Sequence, residues 1–213
     1  MKNILILSPH TDDAELGCGA TIARFIEEGR NILWVVFSTA EESLPKDMSA
    51  NTLELEFIDV INKLNIPKEN AIINYFKVRY LHEKRQEILE LLVKIRNSFD
   101  PDLVIGPSLN DFHQDHQIVA NEMVRAFKSS SSIISYELPW NHITFNTQCF
   151  YKVEKRHIKK KIEILKSYKS QLLKNRSYFS DEFIRGLACT RGIQVNSPYA
   201  EAFEVIKWIN YFL

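Results

Sequence analysis

The chain has 213 residues, 45% hydrophobic and 25% charged. That is the make-up of one well-cored globular domain, and it excludes a disordered or low-complexity chain. Lys plus Arg number 27 and Asp plus Glu number 27, so the basic excess of a phosphate-neutralising nucleic-acid binder is absent.

No apolar run approaches the roughly 18–20 residues of a membrane-spanning helix. The N-terminal run Ile4-Leu5-Ile6-Leu7 is too short for a secretion signal. Cys18, Cys149 and Cys189 are few and scattered, which points to a reducing, cytoplasmic setting. Apolar spacing predicts a strand over 3–7, a helix over 13–28 stopped at Gly29, and a strand over 32–37. Further on it predicts a helix over 53–64, a strand over 71–76, a helix over 83–99 and a strand over 103–105. A helix over 115–128 and strands over 133–136 and 149–153 follow, then a basic helix over 155–173 and a last strand over 203–208. Short strands alternating with helices give an α/β fold: a single-domain, Rossmann-like, doubly wound, mostly parallel sheet flanked by helices across residues 1–213. The Lys159-Lys160-Lys161 run reads as a solvated helix face, His82 and His157 as surface residues, and Cys18 as a buried packing thiol.

Three polar clusters fall at strand ends, where parallel α/β sheets bind ligands. The first is Pro9-His10-Thr11-Asp12-Asp13-Ala14-Glu15. His10 and Asp13 are three apart, and a turn can aim an imidazole and a carboxylate at one zinc ion. Asp12 is then free to act as a base. The competing reading is a helix cap, with Asp12 and Glu15 spaced as a capping box. Gly17-Cys18-Gly19 lies inside the helical pattern, which makes it a poor dinucleotide fingerprint. The second cluster, Asn110-Asp111-Phe112-His113-Gln114-Asp115-His116, opens the helix after the 103–105 strand. If that strand neighbours the first, His10, Asp13 and one of the two histidines meet with a fourth position open to water, the pattern of a catalytic zinc. The third cluster, Thr190-Arg191-Gly192 with Tyr199 and Glu201, closes the pocket from the C-terminal side or is a salt-bridged loop. Trp140 stands at a loop rim, either to stack on a sugar ring or to pack.

These clusters resemble the LmbE-like, or PIG-L, family of metal-dependent N-acetylglucosamine deacetylases. The family's proline-histidine-x-aspartate-aspartate motif matches Pro9 to Asp13, and its histidine-x-x-histidine matches His113-Gln114-Asp115-His116. Tyr168-Lys169-Ser170-Gln171 and the block from Arg191 to Phe203 look like a glycan-directed branch. The resemblance implies His10, Asp13 and His116 as ligands of Zn2+, with Fe2+ an alternative. It implies Asp12 as the general base that activates the attacking water, and His113 as a second, protonated catalytic histidine steadied by Asp115. The implied reaction removes acetyl from an N-acetylated amino sugar or its conjugate, with surface-polysaccharide synthesis as one setting. A homo-oligomer stays open, and a non-catalytic metal- or sugar-binding protein is the alternative. The chain departs from many members at Ser38-Thr39-Ala40-Glu41, where they carry Gly-Glu, and at Asn51, where a substrate-contacting Arg precedes Glu54. Arg79 or Arg191 is the candidate replacement, and Trp140, Tyr199 and Glu201 complete the candidate substrate contacts.

Overall fold

The computed structural model describes residues 1–210. Its strands are β1 (Asn3–His10), β2 (Asn31–Ser38), β3 (Ala71–Ile73), β4 (Leu103–Gly106), β5 (Ser132–Tyr136), β6 (Cys149–Lys152) and β7 (Ala200–Lys207). The helices are α1 (Asp13–Glu27), α2 (Thr52–Lys63), α3 (Arg85–Phe99), α4 (Gln114–Phe127), α5 (Lys155–Leu165), α6 (Lys169–Leu172) and α7 (Asp181–Ile193). One sheet runs β3-β2-β1-β4-β5-β7-β6. Its first five strands are parallel, and β7 pairs antiparallel with both β5 and β6. The expected doubly wound α/β sheet is what forms.

Alternation along each strand explains the two cores. Ile4, Ile6, Trp34 and Val36 point to one face and are buried with residues of α1, α2 and α5. Leu5, Leu7, Val35 and Phe37 point to the other and are buried with Ile88, Leu92 and Ile95 of α3 and Val119 and Met123 of α4. The chain winds one way from β1 to β3 and the other way from β4 to β5, so the order reverses between β1 and β4. Those two strands are hydrogen-bonded neighbours from Ile4↔Leu103 to Ile6↔Ile105. Both loops leaving their C-terminal ends therefore enter the crevice where such sheets bind ligands.

Helix α1 is broken at Cys18, whose φ of −146° is not helical. The orphaned N–H groups past the break are capped from a distance. The Glu201 carboxylate accepts from Ala20 N at 3.3 Å and Thr21 N at 2.6 Å, and is paired with Lys161 Nζ at 2.6 Å. Gly17 meets the Tyr136 ring, and a Cβ there would lie 2.5 Å from Tyr136 Cδ2. Tyr136 cannot yield easily, because it is buried and its hydroxyl donates to the Leu7 carbonyl at 3.2 Å. Gly17 is therefore required by this packing. Gly17→Ala is expected to destabilise the fold by about 1–3 kcal/mol through overpacking, measured as a lower urea midpoint with an unchanged slope.

The basic helix ends at Leu165 instead of continuing to 173. Tyr168 has to turn inward, where it is fully buried and its hydroxyl reaches the Thr11 carbonyl and the Glu15 carboxylate. Lys161 is not solvated but buried against Glu201. His157 is buried too, accepting from Glu154 N at 3.0 Å and pairing with Glu27. Helix α7 has no counterpart among the elements that apolar spacing predicts. Ser180 caps it by accepting from Phe183 N at 3.1 Å, and Asp181 and Glu182 fill its first turn, an N-terminal signal that the sequence does contain.

Candidate active site

His10 is the last residue of β1, and Asp13 the first of α1. His116 lies in the first turn of α4, just beyond β4. Strand adjacency brings them together across about 100 residues of sequence. His10 Nδ1 lies 3.2 Å from Asp13 Oδ2, His116 Nε2 lies 3.1 Å from the same oxygen, and the two nitrogens are 3.3 Å apart. Four ligands about 2.0 Å from a tetrahedral zinc stand about 3.3 Å from one another. The triangle has that edge length, so its donor atoms fit three corners of such a centre and leave the fourth open.

The outer nitrogens of both histidines are occupied by carboxylates. Asp115 Oδ2 lies 3.0 Å from His10 Nε2, and Asp111 Oδ2 lies 2.7 Å from His116 Nδ1. These contacts place the ring protons on the outer nitrogens and turn the inner ones, as acceptors, to the centre of the triangle. Asp13 Oδ2 is fixed by the His10 backbone N–H at 2.8 Å. A wider set, His10, His113 and His116, has donor atoms within 4.8 Å of one another. The Asp13-containing triangle is tighter and holds both an anion and two neutral donors, the better match to a divalent ion.

The electrostatics agree with a cation site. Burial disfavours charge on His10, but Asp13 and then Asp115 overcome it and raise the imidazole to about 9. Burial likewise opposes charge on His116, and Asp13 and Asp111 raise it to about 10. Asp13 sits far below the carboxylate range despite burial, because both histidines face it. Clustered buried carboxylates hold positive charge at this point, as protons on the rings or as a metal in their place.

Asp12 answers the capping question. It is the N-cap residue of α1, yet its side chain makes no capping hydrogen bond. Burial and then the neighbouring Asp13 carboxylate lift its pKa to about 6. The carboxylate lines a cavity of about 240 Å3 together with His10, Asp13, His113 and His116. Thr11 also faces this space, and its buried hydroxyl has no partner among the described residues.

His113 differs from expectation. Its Nδ1 accepts from the Asp115 backbone N–H at 3.2 Å, so the ring proton sits on Nε2. Burial, then His116 and His10, push its pKa down to about 4. It is a neutral donor, not an imidazolium. The Asp115 carboxylate serves His10 instead, and also accepts from Arg79 N at 2.6 Å and Leu81 N at 3.4 Å. Arg79 thus contributes its backbone. It adopts φ +70°, in the left-handed region, and its exposed side chain lines a separate hollow with Lys77, Tyr80 and Gln114.

Of the other expected substrate contacts, only Trp140 lines the cavity, stacked on Tyr178 with ring centroids 4.0 Å apart. Arg191 is committed to Glu137, with N–O distances of 2.5 and 2.9 Å. Glu201 is the internal cap of α1. Tyr199 lines a surface groove with Arg24 and Glu28. These three shape the fold beside the site instead of lining it. Gln171, from the Tyr168–Gln171 motif, lines the cavity, as do Asn141, Lys174, Arg176 and Tyr178, which carry no motif signal. Asp111, five residues before His116, is the first acid of its cluster, and that position was the signal that could have found it.

Residues 5–127, which carry both halves of the triangle, match the GlcNAc-PI de-N-acetylase (PIG-L) family model. The chain belongs to the PIG-L family. A relative is an uncharacterized deacetylase, YaiS, of Escherichia coli (strain K12), 28% identical over 176 residues that cover 79% of this chain and 91% of that protein. Among solved structures, the N,N'-diacetylchitobiose deacetylase of Pyrococcus horikoshii superimposes with a TM-score of 0.79 at 18% identity, covering 96% of this chain and 84% of that one. The 4-carboxy-2-hydroxymuconate hydratase of Pseudomonas putida KT2440 gives a TM-score of 0.77 at 19% identity, covering both chains fully. The fold therefore hosts more than one reaction, and chemistry has to be argued from the site. No helix among the described residues is long and apolar enough to cross a membrane.

Proposed function

We propose that this PIG-L family member is a metal-dependent N-deacetylase acting on an N-acetylated amino sugar, with His10, Asp13 and His116 holding the ion. One observation carries the reading: the uncapped Asp12 carboxylate faces the cavity directly beside the 3.1–3.3 Å donor triangle. Family membership favours amide hydrolysis over the other chemistry that this fold hosts.

A bound divalent ion, zinc or iron, supplies Lewis-acid activation of a water and of the carbonyl oxygen. Asp12 takes the proton from the attacking water and delivers it to the departing amine. His113 donates from Nε2 to the oxygen that becomes negative. Asp115 keeps His10 aimed inward, and Asp111 does the same for His116. The cavity, about 240 Å3, suits a single sugar residue, and the Trp140–Tyr178 stack forms part of its wall. The products are acetate and a free amino sugar.

Acetate release from a panel of N-acetylated sugars by the metal-loaded protein tests the reading. Turnover abolished by chelator and restored by zinc or iron supports it; no acetate from any sugar contradicts it. Asp111→Asn is expected to lower metal affinity by about 10–100-fold while leaving the fold intact, read by competition with a chromogenic chelator.

A further inference from the structure

Lys174 and Arg176 reach the cavity that holds the donor triangle, and both lie beyond the family-matched stretch of 5–127. Between them Asn175 adopts φ +49°, a left-handed conformation that asparagine tolerates. The tight turn, closed by Asn175 N donating to the Leu172 carbonyl at 3.0 Å, puts both cations on the cavity wall. Lys174 is half-buried and tethered: its Nζ donates to the Ser43 carbonyl at 2.7 Å and Gln171 Oε1 at 3.1 Å, with a third N–H to spare. The Arg176 guanidinium donates to the Tyr178 hydroxyl and lies 5.7 Å from that ring's centre.

Neither cation has an ion-pair partner among the described residues. The buried Lys161 is matched by Glu201 and the part-buried Arg191 by Glu137, whereas Lys174 is half-buried and Arg176 exposed. We infer that Lys174 and Arg176 form an anion-reading subsite, and that the substrate is an N-acetylated amino sugar bearing a phosphate or carboxylate group. This inference rests on the deacetylase reading above. The two cations line the same cavity as the acids and histidines, and both are near enough to Asp12 to interact with its charge, so an anionic substituent on a sugar bound there would face them. Burial, followed by Arg176, lowers the Lys174 pKa, with Asp12 and Glu56 opposing the shift. Charge-assisted hydrogen bonds of this kind are strong enough to set specificity.

The test compares kcat/KM of the metal-loaded protein for three probes: neutral methyl N-acetylglucosaminide, N-acetylglucosamine 1-phosphate and N-acetylglucosaminuronic acid. At least one anionic probe is expected to exceed the neutral one by about tenfold or more, and the better of the two identifies the charged group. Lys174→Met and Arg176→Met should each collapse that ratio, and Lys174→Arg should restore most of it. Calorimetry of the products gives a readout independent of turnover, with glucosamine 1-phosphate expected to bind more tightly than methyl glucosaminide. Equal ratios for charged and neutral probes, or a preference that survives both Met variants, would overturn the inference and leave the cations as counter-charges to the acids of the centre. Deacetylation of the neutral probe alone sinks the subsite and spares the deacetylase reading. No deacetylation of any probe sinks the deacetylase reading, and the calorimetric comparison then decides the subsite.

Discussion

Asp12→Asn keeps its metal and loses about 10²- to 10⁴-fold in kcat, the usual contribution of a positioned general base. The substitution is nearly isosteric and removes the one carboxylate in the site that neither caps a helix nor pairs with a histidine. The triangle is untouched, because Asp13 Oδ2 and the two inner nitrogens depend on Asp111, Asp115 and the His10 backbone for their positions. Metal content and the thermal midpoint should therefore match the unmodified protein while turnover collapses. A variant that retained most of its turnover would move the base elsewhere, and His113 would be the next candidate.

His116→Ala removes both metal and activity. His116 is the link between the two halves of the site: Nε2 meets Asp13 at 3.1 Å and Nδ1 meets Asp111 at 2.7 Å. Its loss deletes one donor and strands two buried carboxylates. Breaking a buried pair of this sort costs about 3–5 kcal/mol, so the variant should also unfold at markedly lower denaturant. Asp13→Asn provides the companion measurement, since it weakens the triangle while keeping its shape. It is expected to bind zinc far more weakly than Asp111→Asn does, and to remain folded. Wild-type metal affinity in both variants would remove these residues from the centre.

The sequence was most legible where local pattern and chemistry coincide. The β1 and β4 apolar runs, followed at once by His10–Asp13 and by His113–His116, located the site because a parallel sheet with these strands adjacent delivers both loops to one crevice. Side chains whose partners lie far along the chain were not legible. Arg191 and Glu201 looked available for substrate, yet each is consumed by a residue 54 or 40 positions away, Glu137 and Lys161. No spacing rule carries that information. Asp115 precedes His116 and neighbours His113, but the turn into α4 sends its carboxylate to His10, leaving only its backbone N–H for His113. The overlong basic helix failed for a related reason. Nothing between Leu165 and Leu173 breaks a helix by propensity, and the chain turns because Tyr168 gains a buried hydroxyl partner beneath the site loop. Lys174 and Arg176, on the stretch that follows, had no motif to mark them and became visible only as cations facing a shared cavity.

The metal centre is tested most directly by transition-metal content per chain, by elemental analysis, of untagged protein purified without chelator, beside the His116→Ala variant. The prediction is about one zinc or iron per wild-type chain and almost none in the variant. A wild-type protein without transition metal, and without uptake when zinc is added, would contradict it.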